Sequence, residues 1–68
     1  MKAVSGKRLC QLLEGHGWIL VRITGSHRID AKPGDPTRIS VPVHGKSALK
    51  IGLQRHLMKL AAIDESEL

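Results

Sequence analysis

The stretch Trp18-Ile19-Leu20-Val21-Arg22-Ile23-Thr24-Gly25-Ser26-His27-Arg28-Ile29-Asp30-Ala31 decides the fold, because it joins an apolar run to an alternating run through a glycine turn. Residues 18–23 are apolar on both faces except at Arg22, and their β-branched and aromatic content predicts a strand covered on both sides, hence central in a sheet. Thr24-Gly25-Ser26 carries turn chemistry, and residues 27–31 alternate polar and apolar as a half-buried partner strand does. A hairpin follows. Strict alternation puts His27 on the side of Ile29, so the turn must re-aim the imidazole if Ile29 faces the core.

Working outward, Lys32-Pro33-Gly34-Asp35-Pro36 is a dense turn cluster. Residues 37–43 alternate again, with Ile39, Val41 and Val43 on one side, which predicts a third strand. Pro42 cannot donate to a ladder, so this strand is expected at a sheet edge or leaving the sheet there. Upstream, Ser5 is a helix N-cap, and Val4 with Leu9 forms a hydrophobic staple around it. Leu9, Leu12 and Leu13 then share a face, and Gly15-His16-Gly17 ends the helix near Glu14. Downstream of His44-Gly45-Lys46-Ser47, residues Leu49, Leu53, Leu57, Leu60 and Ala61 recur at spacings of four and three, the stripe of a second amphipathic helix. Gly52 is a poor helix interior residue and is expected in its first turn. Ile63-Asp64-Glu65 seeds one more turn. Residues 1–68 read as a single α+β domain of order α-β-β-β-α, with two helices on one face of a three-stranded antiparallel sheet. That is also the order of double-stranded-RNA-binding domains.

Composition narrows the function. The chain has 68 residues and a formal net charge of +5. Three of its six acids, Asp64, Glu65 and Glu67, lie in the tail, so residues 1–63 hold all 11 Lys and Arg against three acids. Such a body attracts phosphate. The single cysteine, Cys10, has no intrachain partner, so a core this small must carry the fold without a staple. The apolar run at residues 18–23 is far short of a membrane span, and residues 1–8 lack the apolar segment of a secretory signal, so the expected location is the cytosol.

Gly15-His16-Gly17 is not a nucleotide loop, since that fingerprint follows a strand and opens a helix. Cys10 lies beside the Leu9 and Leu13 stripe and reads as a buried, inert thiol. His16 reads as a loop residue and His56 as a helix-surface residue. The Cys and His residues show no metal-ligand spacing, and no cofactor is expected. Gly25-Ser26-His27 differs, because it places a hydroxyl and an imidazole together at a strand start. Taken alone, such a histidine is most often just a polar surface group. A second histidine, His44, ends the third strand. Cleaving RNA without a metal takes a base for the 2′-hydroxyl proton and an acid for the leaving 5′-oxygen, and imidazole, with an ordinary pKa of about 6.5, serves as either. Whether His44 reaches His27 is left open by the sequence.

These residues resemble the HicA toxins of bacterial type II toxin–antitoxin systems over nearly the whole chain. The resemblance consists of the Ser-containing first helix with Leu12 and Leu13, Gly17-Trp18, Gly25-Ser26-His27, Val41-Pro42-Val43-His44-Gly45, and Leu49-Lys50 leading into Leu53-Arg55. It implies a fold like that of a double-stranded-RNA-binding domain and cleavage of messenger RNA dependent on His27, with Gly25 and Ser26 accompanying it and His44 as a supporting candidate. It also implies a HicB-type antitoxin partner, with DNA bound only through the complex. Arg22, Arg28, Arg38, Lys46 and Lys50 are the candidate phosphate contacts, Lys46 and Lys50 foremost because they flank the start of the second helix. With no Tyr and no Phe, base stacking of the single-strand-binding kind is not expected to supply affinity. The competing expectations are a non-catalytic RNA-binding module and, less favoured because a whole sheet separates the helices, a DNA-binding repressor.

Overall fold

A computed structural model describes all residues from Met1 to Leu68. The order is α1 (Gly6–Gly15), β1 (Ile19–Thr24), β2 (His27–Lys32), β3 (Asp35–Pro42), α2 (Ile51–Ala61) and a closing 3-10 turn, Glu65–Glu67. It is the α+β arrangement the sequence predicts.

Local chemistry sets the element ends. Ser5 is extended (φ −71°, ψ 159°) and its hydroxyl accepts from the Arg8 amide at 3.1 Å, which caps α1. Gly17 takes φ +89° after the helix. In the two-residue turn between β1 and β2, Gly25 has φ +59° while Ser26 stays at negative φ, the sign pattern of a type II′ hairpin turn. Pro33 and Gly34 (φ +81°) make the second turn, in the order a type II turn requires. α2 ends in a Schellman motif: the Ala62 amide donates to the Lys59 carbonyl and the Ile63 amide to the Met58 carbonyl, with Ala62 left-handed at φ 56°.

The sheet is antiparallel with order β1-β2-β3. β1 is therefore an edge strand, not the central one its apolar run predicted. Only one sheet face is covered: Ile19, which pairs with Ala31 on the open side, and Val21 at the register slip are each 55% exposed. The register slips at Val21, a bulge that lets β1 twist away from its partner.

β2 is central and inverted relative to expectation. Its pairs Arg28↔Val41 and Asp30↔Ile39 share the helix-facing side with the fully buried Ile39 and Val41. Asp30 is thus 1% exposed, while Ile29 and Ala31 are half-buried on the open side. β3 fixes this choice, because a one-residue slip would turn Ile39 and Val41 out to water. His27 consequently reaches the open face by ordinary alternation and needs no re-aiming.

Both helices bury their stripes in one core that contains Leu9, Leu13, Trp18, Ile39, Val41, Leu57 and Met58. In α2 the buried positions are Gln54, Leu57, Met58 and Ala61, whereas Leu53 and Leu60 are 37% and 41% exposed. The stripe is rotated by one residue from the leucine pattern, because Gln54 takes the inward place. Its Oε1 accepts from the Val4 amide at 2.9 Å and its Nε2 donates to the Lys2 carbonyl at 2.7 Å. The segment so held pairs onward, with Ser5 bridging Ala48 and the Leu49 amide donating to the Val4 carbonyl at 2.8 Å. At its first residue α1 meets β3 backbone to backbone: a Cβ on Gly6 would lie 2.0 Å from the Pro42 carbonyl oxygen. No helix is long and apolar enough to cross a membrane.

Candidate active site

The hairpin turn and the central strand hold His27. It pairs with Thr24 across the turn and with Pro42 on the other side, so its backbone is fixed from both flanks while its side chain stays exposed. His44 comes from the point where the chain leaves β3. The Val43 amide donates to the Ser26 carbonyl at 2.7 Å, which ties the end of β3 to the Gly25-Ser26 turn. One residue later, His44 swings out with Gly45 at φ +59°, and the Ser47 amide donates back to its carbonyl at 3.1 Å.

These two anchors bring the imidazoles together, with ring centroids 6.5 Å apart and planes at 84°. Both side chains are exposed. The other histidines and the cysteine are elsewhere: His16 pairs with Glu67, His56 is on the outer surface of α2, and Cys10 is in the core. Burial pushes the Cys10 thiol up to about 11, so it is held as the neutral, unreactive form.

Beside His44 lies a groove of about 330 Å³ whose walls include Pro42, Ser47, Leu49, Lys50 and Leu53. Lys50 is the N-cap residue of α2, and its side chain makes no cap bond. Lys46 is exposed in the same loop, and neither lysine is in an ion pair.

Arg22 and Arg38 occupy the open sheet face, where with Val21 and Ile29 they line a shallow depression of about 300 Å³. They share that face with His27. Arg28 does not. It points under the sheet, where Nη2 lies 3.6 Å from Glu14 Oε1 and Nε is buried without a partner. Its neighbour Asp30 is buried, and burial raises its carboxyl above the usual range, an effect the Arg28 charge partly opposes. Sequence alone groups Arg28 with cations from which the structure separates it. Sequence reasoning misses the groove, because Leu53 fits the apolar spacing of α2 and only the structure shows Gln54 taking the inward place.

Fold and site together define a small, basic α+β domain with an exposed imidazole pair at one end of its sheet. The chain matches the family model of the HicA toxin of bacterial toxin–antitoxin systems over residues 6–63, and it belongs to that family. As a toxin of such a system it has an antitoxin partner. No curated protein matches the chain.

Proposed function

We propose that this chain is the endoribonuclease of its toxin–antitoxin pair, cutting messenger RNA without a metal through His27. The observation that carries the reading is the exposed His27–His44 pair at 6.5 Å. Two imidazoles at that separation do not bond each other, and a phosphodiester fits between them. One takes the proton from the ribose 2′-hydroxyl as its oxygen attacks phosphorus. The other protonates the departing 5′-oxygen, leaving a 2′,3′-cyclic phosphate and a free 5′-hydroxyl. His27 is the essential member and His44 its supporting partner, with Gly25 and Ser26 shaping the turn that presents the ring.

Arg22, Arg38, Lys46 and Lys50 are the phosphate contacts we favour, because all are exposed and none is paired to an acid. Arg28, engaged with Glu14, acts on RNA only by holding β2 in place. The antitoxin is a HicB-type protein that covers the histidines. Support comes from the charge of the body and the unpaired β1 edge, which offer an acidic partner both field and strand pairing. DNA is reached only through that partner, and the working compartment is the cytosol.

Expression of the chain alone tests the reading. Induction should arrest growth and fragment RNA, and the purified protein should keep cutting in EDTA. His27→Ala should lower the cleavage rate by at least about a hundredfold, the usual size of an acid–base contribution, with an unchanged circular dichroism spectrum. Cleavage that survives His27→Ala rejects the assignment. RNA binding with a steep salt dependence but no cleavage by any variant would make the chain a binding module instead.

A further inference from the structure

The groove beside His44 is not explained by the fold. Leu53 sits on an α2 whose inward positions are Gln54, Leu57, Met58 and Ala61, so its 37% exposed side chain adds little to the core. It lines the groove instead, together with Pro42 and with Leu49, which is 7% exposed. Its polar lining comes from the His44 imidazole, the Ser47 hydroxyl and Lys50, whose ammonium brings the positive charge. An apolar slot with a few convergent polar groups is the usual form of a small-ligand site, and about 330 Å³ lies at the small end of the range for such sites. It suits one planar ring system and not a length of peptide strand.

What the slot would hold follows from what the chain lacks. There is no Phe and no Tyr, and the single tryptophan, Trp18, is 3% exposed. No indole, phenol or phenyl ring is free to stack on a base, so a grip on a base needs an exposed imidazole or an aliphatic slot with hydrogen-bonding groups beside it. This groove meets that need and shares His44 with the imidazole pair.

We propose that the groove is a nucleobase subsite, receiving one base of the RNA strand next to the bond that is cut. Leu49 and Leu53 lie against the ring, the Ser47 hydroxyl reads its edge, and Lys50 meets the adjoining phosphate. The position of that base relative to the cut rests on the nuclease reading above; base binding itself does not. The subsite makes Ser47 and Leu53 determinants of which nucleotide is preferred, although neither takes part in the proton transfers.

The test is a methyl and amide NMR titration of the whole chain with the four 3′-nucleoside monophosphates, against ribose 3-phosphate as the baseless control. The expected result is that Leu49 and Leu53 methyls and the Ser47 and Ala48 amides shift with nucleotides and not with ribose phosphate. At least one nucleotide should bind about tenfold more tightly than the control, the size of one good base contact. Leu53→Ala, a change at an exposed position that widens the slot, should reduce that difference. Equal binding of nucleotide and ribose phosphate, or silent leucine methyls, overturns the proposal. Silent methyls that shift instead with a purified antitoxin would give the groove to a protein side chain, which overturns it equally. Base binding in the groove by a chain that cuts no RNA would leave the subsite standing while the nuclease reading falls.

Discussion

Replacing Gln54 with leucine should unfasten the N-terminal segment and, through it, the loop that carries His44, Lys46 and Lys50. The side chain is fully buried and makes two bonds, from the Val4 amide at 2.9 Å and to the Lys2 carbonyl at 2.7 Å. Leucine fills nearly the same volume, so the loss is one of hydrogen bonding and not of packing. Each neutral bond contributes about 1 kcal/mol net, and stranding the buried Val4 amide costs about 1–3 kcal/mol, so the change should cost about 2–4 kcal/mol. A domain of 68 residues has a total stability of roughly 3–10 kcal/mol, so this is a large share. At about 4–8 °C per kcal/mol for a domain of this size, the melting temperature should fall by roughly 8–32 °C. Thermal unfolding followed by far-UV circular dichroism measures it. Hydrogen exchange adds a local readout, since the Leu49 amide bonded to the Val4 carbonyl should lose protection ahead of the β2 and β3 amides. A loss of less than about 0.5 kcal/mol, as surface substitutions show, would refute the view that this glutamine latches the site loop to the core.

Four further outcomes are expected. Gly6→Ala should leave little folded protein by circular dichroism, because the added methyl would sit 2.0 Å from a backbone carbonyl, Pro42, that cannot yield without moving the end of β3. Ala62→Gly should stabilise by about 0.5–1 kcal/mol in a denaturant titration, since glycine adopts the left-handed position at φ 56° without the Cβ penalty. Asp30→Asn should raise the melting temperature by a few degrees at pH 7 and have no such effect near pH 3. Burial raises the folded carboxyl above its ordinary value of 3.8, so the wild type is penalised once pH passes the unfolded value and is relieved below it. Glu67 runs the opposite way. Its hydrogen bond with His16 lowers its carboxyl below 4.5, so its hold on the tail is present above that value and is lost as pH falls through the lower folded one. An acid titration of the Glu67 side-chain NMR signal checks the direction.

The elements were legible where local chemistry decides them. Ser5, Gly17 and Gly25 mark a helix start, a helix end and a hairpin turn by conformational rules that need no partner. Faces were less legible. The run at residues 18–23 reads as doubly buried because periodicity reports which side chains are apolar, not whether a second layer covers them; Ile19 and Val21 face water. Alternation alone suggests Ile29 inward, yet the register is set by Ile39 and Val41 in β3, and their pairing partners Asp30 and Arg28 follow them inside. The α2 stripe shifted by one residue because Gln54 is polar in sequence and inward in structure, its polarity answered by backbone fifty residues away. His27 was identified from its turn motif, but its nearness to His44 depends on the pairing of Val43 with Ser26, a long-range contact that spacing does not encode.

Trp18 has a practical meaning of its own. It is the only fluorophore among the aromatic residues, it is enclosed at 3% exposure with the Lys32 Nζ 6.0 Å from its ring, and it precedes β1 at the opposite end of the strand from Thr24 and His27. Its emission therefore reports whether the interior is intact and stays dark to events around the histidines. Folding and ligand occupancy are optically separable in this molecule, and a tryptophan placed at position 53 would supply a second light source where the first gives no signal.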